Sequence, residues 1–542
     1  MIGRRELLTG VGGAALASAL PPKPAGADDG PIATTTSGKV RGATNDGINV
    51  FKGIPYGAST AGANRFRPPK PPQPWEGVRD ALEYPPMSPQ VVRTDLGPLF
   101  KSWNFFTNVS EDCLGLNVFT PALRDGAKRP VMVWFHGGDY SILSGATDPD
   151  DGTRLCEKGD VVLVTLNHRL NAFGFLYLAD LAPEFADSAN VGMLDLVAAL
   201  KWVHDNIAEF GGDPTNVTIF GQSGGGGKVS TIMAMPAAAG LFHKAIVQSG
   251  SYARNAHLEA MTTETASKHA RTFLNTLGVA PPDARKLVDM PVDTLIEGLR
   301  KAGALPLPDR PAWRPVADGK GLPKGPWWPD APAMSANVPL MIGTNETEMT
   351  MLLGTFDPST FELDDAAMRT RLGRLFAAAD IDTVVNAFKA TRPNATPSEL
   401  YFAIVTANSF RRGAWSQADA RAAQNAAPVY LYELDWHTPV GGGKWMSPHS
   451  LDLGLVFDNV AKAESMVGSG PDAQRLADQM SAAWIAFART GNPSTSANPN
   501  WPPYKPPLRA TMVFNVQSKV VDDFRGDERM VLTKLNAHGP FD

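Results

Sequence analysis

Gly221-Gln222-Ser223-Gly224-Gly225 sets one hydroxyl among glycines, directly after an apolar run at 217–220 and before a stretch expected to be helical over 228–235. A strand-to-helix turn that tight leaves no room for flanking side chains and pushes the serine hydroxyl into the open, as a nucleophile elbow requires. A chain with 51 Gly can match such a pattern by accident, so the motif gains its weight from placement and partners. A serine hydroxyl is almost wholly protonated at neutral pH; it needs a base within hydrogen-bond reach, and the base needs a carboxylate to hold its tautomer. Of nine His, His449 stands out, because Pro448-His449-Ser450-Leu451-Asp452 forms a loop after the apolar run at 429–434. Following the order serine, acid, histidine that goes with this kind of turn, the acid should lie between them. Glu348 meets that condition, with Glu346 as its local competitor.

A second loop could serve the same reaction. His136-Gly137-Gly138-Asp139-Tyr140 follows the apolar run at 131–135. Small residues in succession let backbone N–H groups point at a developing oxyanion, and Gly138, Asp139 and Gly224 are the expected donors. Loss of one such donor costs roughly 10²- to 10³-fold in rate in serine hydrolases. His136 is read as a prop for the loop rather than as a base.

The elements that must carry these loops show in the hydrophobic pattern. The runs at 131–135, 161–166, 217–220, 245–247 and 340–342 are apolar throughout rather than alternating, which suits strands covered on both faces. Between them, Leu196, Ala199, Leu200, Val203 and Ile207 recur at helical spacing over 195–210. Strands alternating with helices imply an α/β fold with a mainly parallel central sheet and helices on both faces. Residues 32–35 and 39–41 read as a hairpin, 67–72 as irregular Pro-rich chain, 429–434 as a strand, 474–490 as a helix and 512–515 as a last strand. With no internal repeat and no Gly/Ser linker, residues 28–542 are expected to form one catalytic domain with long insertions.

Composition narrows the partners. The 542-residue chain is 43% hydrophobic with a formal charge of -5 and no long run of Lys or Arg, so neither a nucleic-acid nor an anionic-membrane surface is indicated. A small neutral or apolar ligand fits better, and a monomer or weak homo-oligomer is expected. Residues 1–27 read as an address: Arg4-Arg5, a short Gly/Ala-rich apolar stretch, then Ala25-Gly26-Ala27. That pattern resembles a twin-arginine signal peptide of bacterial type, with export to the periplasm or medium, and the stretch is too short for a stable anchor. Cys113 and Cys156 are too few for a disulfide framework or zinc-site spacing and read as two separate buried thiols, with a single bridge as the alternative in an oxidising compartment.

Taken together, these segments resemble the type-B carboxylesterase and cholinesterase family from about Gly38 to Phe514. The likeness includes Phe51-Lys52-Gly53-Ile54-Pro55-Tyr56, Ser110-Glu111-Asp112-Cys113-Leu114-Gly115-Leu116-Asn117-Val118, Asn167-His168-Arg169-Leu170, Phe210-Gly211-Gly212-Asp213-Pro214 and Thr490-Gly491-Asn492-Pro493. The resemblance implies an α/β-hydrolase fold, no cofactor, and cleavage of small-molecule carboxylic esters through an acyl-enzyme. It assigns Glu348 rather than Glu346 as the acid. The same machinery also serves acyltransferases and amidases, and relatives of this fold that lack the serine or histidine act as non-catalytic binding domains; all three positions are filled here.

The chain departs from the family pattern at three functional positions. Asp139 stands where a third glycine is usual, and Gln222 and Gly224 flank Ser223 where Glu and Ala are usual. A backbone N–H survives the Asp139 and Gly224 changes. An ionised carboxylate about 4 Å from an oxyanion would oppose it by about 4 kcal/mol at an effective dielectric of about 20. Asp139 must therefore turn away, be protonated, or have a task such as positioning the attacking water, with Gln222 an auxiliary that removes a second charge beside Ser223. The family's usual partner for Cys113 is absent, with Ser88 near its place. Trp103, Phe105, Phe106, Trp445 and Met446 are candidates to line a pocket, and esters of medium, largely uncharged acids or alcohols are the expected substrates.

Overall fold

The computed structural model describes residues 30–92, 96–103, 108–251, 260–306, 309–327 and 329–535. The expected signal segment at 1–27 and the lining candidates Phe105 and Phe106 lie outside these residues.

Among the described residues there are fourteen strands: β1 (Ile32–Thr35), β2 (Gly38–Arg41), β3 (Ala43–Asn45), β4 (Ile48–Pro55), β5 (Val78–Asp80), β6 (Gly115–Thr120), β7 (Arg129–Phe135), β8 (Val162–Leu166), β9 (Gly212–Gln222), β10 (Lys244–Gln248), β11 (Leu340–Asn345), β12 (Val429–Leu434), β13 (Thr511–Phe514) and β14 (Lys519–Val521). Eleven form one sheet in the order β14-β13-β12-β11-β10-β9-β7-β8-β6-β4-β3, and β1, β2 and β5 form a small second sheet. From β8 through β7, β9, β10, β11 and β12 to β13 every pairing is parallel. Both flanks are antiparallel, with β14 on one side and β6, β4 and β3 on the other.

The fully apolar runs correspond to β7, β8, β9, β10 and β11, whose central residues are buried on both faces. Two hydrophobic layers explain this. Val131, Val133, Ile219 and Ile342 face a core that includes Leu196 and Val203, while Met132, Trp134, Phe220 and Met341 face one that includes Trp484 and Phe487. Leu196 and Val203 belong to α1 (Val191–Asn206), and Trp484 and Phe487 to α2 (Pro471–Thr490). The helix expected over 195–210 thus starts earlier, and its last turn, Ile207–Phe210, tightens to a 3₁₀ helix before Gly211 at φ 75° closes it. Phe514 does not end the sheet, because β14 adds a short antiparallel edge.

The family-like segments away from the turn are structural. Arg169 and Asp195 form a buried pair at 2.6 Å, and Arg65 and Glu111 another at 2.6 Å. Each joins a loop from beside the strand ends to a distant part of the chain. Cys113 and Cys156 are free and buried, and burial pushes the Cys113 thiol up to about 12, so neither is poised as a thiolate. Ser88 is buried and its Oγ accepts the Leu170 N–H at 3.1 Å, which ties down the loop that a disulfide would otherwise hold. Among the described residues no helix is long and apolar enough to cross a membrane.

Candidate active site

Ser223 stands at the end of β9, between the strand and the helix Gly224–Ile232, with φ 57° and ψ -126°. A non-glycine residue at positive φ is strained, and the surroundings must hold it there. They do so through the Ser223 N–H, which donates to Gln248 O on β10 at 2.8 Å. The helix begins at Gly224, four residues earlier than the sequence pattern suggests. A run of four glycines is a poor helix former, and packing decides instead. A Cβ on Gly221 would lie 2.7 Å from Phe135 O, and one on Gly225 would overlap Phe135 O as well. One on Gly226 would lie 2.9 Å from Gly250 Cα. The glycines let the first helical turn sit directly on the neighbouring strand ends.

Beside this turn lies the loop after β7. Gly138 at φ 80° and Asp139 at φ 56° bend it back over the elbow. A Cβ on Gly224 would overlap the Asp139 backbone. Alanine at 224 is therefore incompatible with the loop as it lies, and the Gly224 and Asp139 departures belong together. Among the described residues the N–H groups of Gly138, Asp139 and Gly224 donate to no other acceptor. All three are backbone N–H groups on two segments in contact, beside the cavity that Gly138, Asp139 and Ser223 line.

His449 and Glu348 meet from separate loops. Glu348 follows β11, and its Oε2 lies 2.6 Å from His449 Nδ1. Its other oxygen accepts the Asn345 N–H at 2.7 Å and the Ser249 hydroxyl at 2.6 Å, so both oxygens of a fully buried carboxylate are held by hydrogen bonds. With Nδ1–H given to Glu348, His449 Nε2 is left as an acceptor facing the cavity. It lies 3.3 Å from the Gln222 side-chain amide nitrogen, which donates to it. Among the described residues the Ser223 hydroxyl is not hydrogen-bonded to His449, although both line the same cavity. Glu346 is drawn elsewhere: it is held by Arg392 at 3.1 Å, Arg525 at 2.8 Å and His437 at 2.7 Å.

Several supports were not legible in the sequence. Ser249 and Asn345 steer Glu348. Phe410 lays its ring 5.1 Å from the His449 ring, carried there by a π-helical turn at Ala407–Arg411. Gln248 Nε2 donates to Asp452 Oδ2 at 2.6 Å behind the histidine loop, and burial pushes Asp452 up to about 6. The most consequential is Lys228. It is 0% exposed, its Nζ donates to His136 O at 2.9 Å, and burial lowers its pKa to about 7 while the Asp139 carboxylate acts in the opposite sense. Lys228 thus lies beneath the loop that carries Asp139, tied to it through His136 O. A lysine five residues after the serine, in an otherwise small and apolar helix, was the available signal. His136 props the loop, its Nδ1 paired with Gly137 O at 2.8 Å and its ring stacked on His168 at 5.1 Å.

The cavity in front of these groups has a volume of about 390 Å³. Trp103 lines it, with Phe100, Ile142, Met351, Phe356, Phe410 and Leu453. Trp445 and Met446 do not: both are buried in the core, where Trp445 packs edge-on against Phe361 at 5.1 Å. Aromatic type near a strand end did not distinguish wall from core.

A parallel sheet with a strained serine turn at one strand end, facing a chamber shared with a carboxylate-held histidine, defines an α/β-hydrolase. Residues 29–532 match the model of the carboxylesterase family, and the chain belongs to that family. It is 37% identical to the para-nitrobenzyl esterase of Bacillus subtilis (strain 168), over 92% of this chain and 98% of that protein. Identity to the phenmedipham hydrolase of Pseudarthrobacter oxydans is 32%, over 89% and 94%. Among solved structures, a carboxylesterase of Geobacillus stearothermophilus superposes with a TM-score of 0.79 at 36% identity, covering 92% of this chain and 99% of that one.

Proposed function

We propose that this protein hydrolyses small-molecule carboxylic esters through an acyl-enzyme on Ser223, with His449 as base and Glu348 orienting it. The observation that carries the reading is the 2.6 Å contact between His449 Nδ1 and Glu348 Oε2, which fixes the tautomer and leaves Nε2 as an acceptor in the cavity that Ser223 lines. For attack, the Ser223 hydroxyl replaces the Gln222 amide at Nε2. Its proton passes to His449 as Oγ bonds to the carbonyl carbon, and the oxyanion is received by the N–H groups of Gly138, Asp139 and Gly224. His449 then returns the proton to the departing alcohol, and a water repeats the sequence to free the acid. Hydrogen bonds of this kind are often unformed without substrate and tighten on binding.

A fluorophosphonate probe followed by peptide mass mapping tests this directly. The adduct is expected on Ser223, with Ser223→Ala losing roughly 10⁴-fold or more of ester turnover. Adduct on another residue, or turnover surviving in Ser223→Ala, refutes it.

The same proposal extends to the chain's organisation. Residues 28–542 form one catalytic domain, monomeric or weakly associated, and residues 1–27 are a twin-arginine signal that sends it out of a bacterial cytoplasm. Arg4-Arg5 and Ala25-Gly26-Ala27 support the export reading. Replacing both arginines with lysine should retain the esterase in the cytoplasm; unchanged export would remove the assignment.

A further inference from the structure

Most of the cavity wall is apolar, and two groups of its polar residues differ in what they can do. One is the reacting end, with Ser223, His449, Gln222 and the oxyanion loop. The other has no part in the chemistry above: Trp134, the residue before the last of β7, with Thr147 and Asp150 from the segment that returns toward β8. All three are buried, Asp150 being 5% exposed. The Thr147 hydroxyl and N–H and the Trp134 indole N–H face the Asp150 carboxyl, yet the hydrogen bonds are not completed. Trp134 Nε1, Thr147 Oγ1 and Asp150 Oδ1 are each buried without a hydrogen-bond partner.

Charge does not resolve the matter. Among the described residues Asp150 is in no ion pair, whereas its neighbour Asp151 meets Lys462 at 3.3 Å. Burial pushes the Asp150 carboxyl up to about 7 against the opposing pull of the Thr147 and Trp134 donors, so those donors only partly replace the solvation its ionised form loses. A buried polar group left without a partner is destabilising. Three of them clustered on one patch of an apolar chamber make a receptor for a polar substituent: a bound donor gives Asp150 the hydrogen bond it lacks, and a hydroxyl can in addition accept from Trp134 or Thr147.

We propose that Asp150, with Thr147 and Trp134 around it, is a specificity site for esters whose acid or alcohol arm carries a hydrogen-bond donor, a hydroxyl or a primary ammonium. Asp150 accepts from that donor while the carbonyl lies at Ser223. This rests on the esterase reading above and names the substrate class within it. It also departs from the expectation of largely uncharged, plain substrates. Sites that hydrogen-bond a substrate hydroxyl or amine reject analogues lacking it far more strongly than apolar pockets reject an extra methylene.

The test compares kcat/KM within two matched series. The acyl series is 4-nitrophenyl hexanoate with its 6-hydroxy, 6-ammonio and 6-methoxy derivatives; the alcohol series is pentyl butanoate with the same substituents at carbon 5. In at least one series the hydroxyl or ammonium member should exceed its methoxy analogue by about tenfold or more, and Asp150→Leu should reduce that ratio to near one. The hydroxyl and ammonium members separate a neutral donor from a cation. Asp150→Asn, which keeps the shape without the charge, should erase an ammonium preference even where Asp150→Leu fails to fold, and Thr147→Val should weaken either preference. Methoxy members matching both donors throughout, or a ratio that no Asp150 variant moves, overturns the proposal. Failure of the esterase reading looks different, since the unsubstituted esters would then turn over equally well in Ser223→Ala.

Discussion

The side-chain amide of Gln222 donates to His449 Nε2 at 3.3 Å, the atom proposed to receive the Ser223 proton. The residue before the nucleophile is therefore part of the base's environment, through an uncharged group. An amide donor favours the unprotonated imidazole, whereas a carboxylate there would favour the imidazolium. Gln222→Glu should accordingly move the acid limb of the kcat/KM profile to higher pH. A limb that does not shift would show that position 222 is electrostatically remote from the base.

Glu348 and Glu346 stand two residues apart and should fail in different ways. Glu348→Gln loses the acceptor for His449 Nδ1–H, and a drop of roughly 10³- to 10⁴-fold in kcat is expected with little loss of fold. Glu346→Gln leaves Arg392 and Arg525 short of a buried partner. Arg392 keeps Glu528 and Arg525 keeps Glu433 and Asp435, so the loss of stability should fall below the cost of a wholly broken buried pair, about 3–5 kcal/mol. Melting temperature and kcat measured on both variants check this; a collapse of kcat in Glu346→Gln at unchanged stability would exchange their roles.

Lys228 and Asp139 act on one another electrostatically across the loop after β7. Lys228→Met leaves His136 O without its donor and the Asp139 charge opposing the oxyanion, so kcat should fall by about tenfold or more. Adding Asp139→Asn should recover part of that loss. Purely additive single and double variants would mean that the two residues do not act on one another.

Asp150 sets a dependence of stability on pH. Because burial raises its carboxyl to about 7, between the ordinary carboxylate range and about pH 7 the folded chain keeps a proton that the unfolded chain has released. Its contribution therefore becomes less favourable as pH rises through that window, and the penalty is complete above it. Asp150→Asn should raise the melting temperature relative to wild type more at pH 8 than at pH 5, with the difference fading near pH 4. A gain independent of pH would place the effect in packing instead.

Much of the fold was readable along the chain because each piece of evidence was local. The apolar runs of β7 to β11 need both faces covered whatever lies beyond them, and Gly221, Gly225 and Gly226 are required by a turn whose crowding is set within a few residues. The antiparallel flank of β3, β4 and β6 was not read as strands, because its segments alternate less cleanly and their pairing joins distant residues.

Sequence alone thus determined the residue types and their order: a serine turn, a later acid, a later histidine, and a glycine loop that bends where side chains cannot. Only tertiary structure decided which groups face one another. It gave Glu348 to His449 and Glu346 to the arginines, set Gln222 against the base, slid Lys228 under the oxyanion loop, and moved Trp445 into the core while Asp150 lined the chamber. The physical reason is that hydrogen bonds and ion pairs act over a few ångströms of space. Which charges come that close depends on strand order and loop packing, on which spacing along the chain is silent.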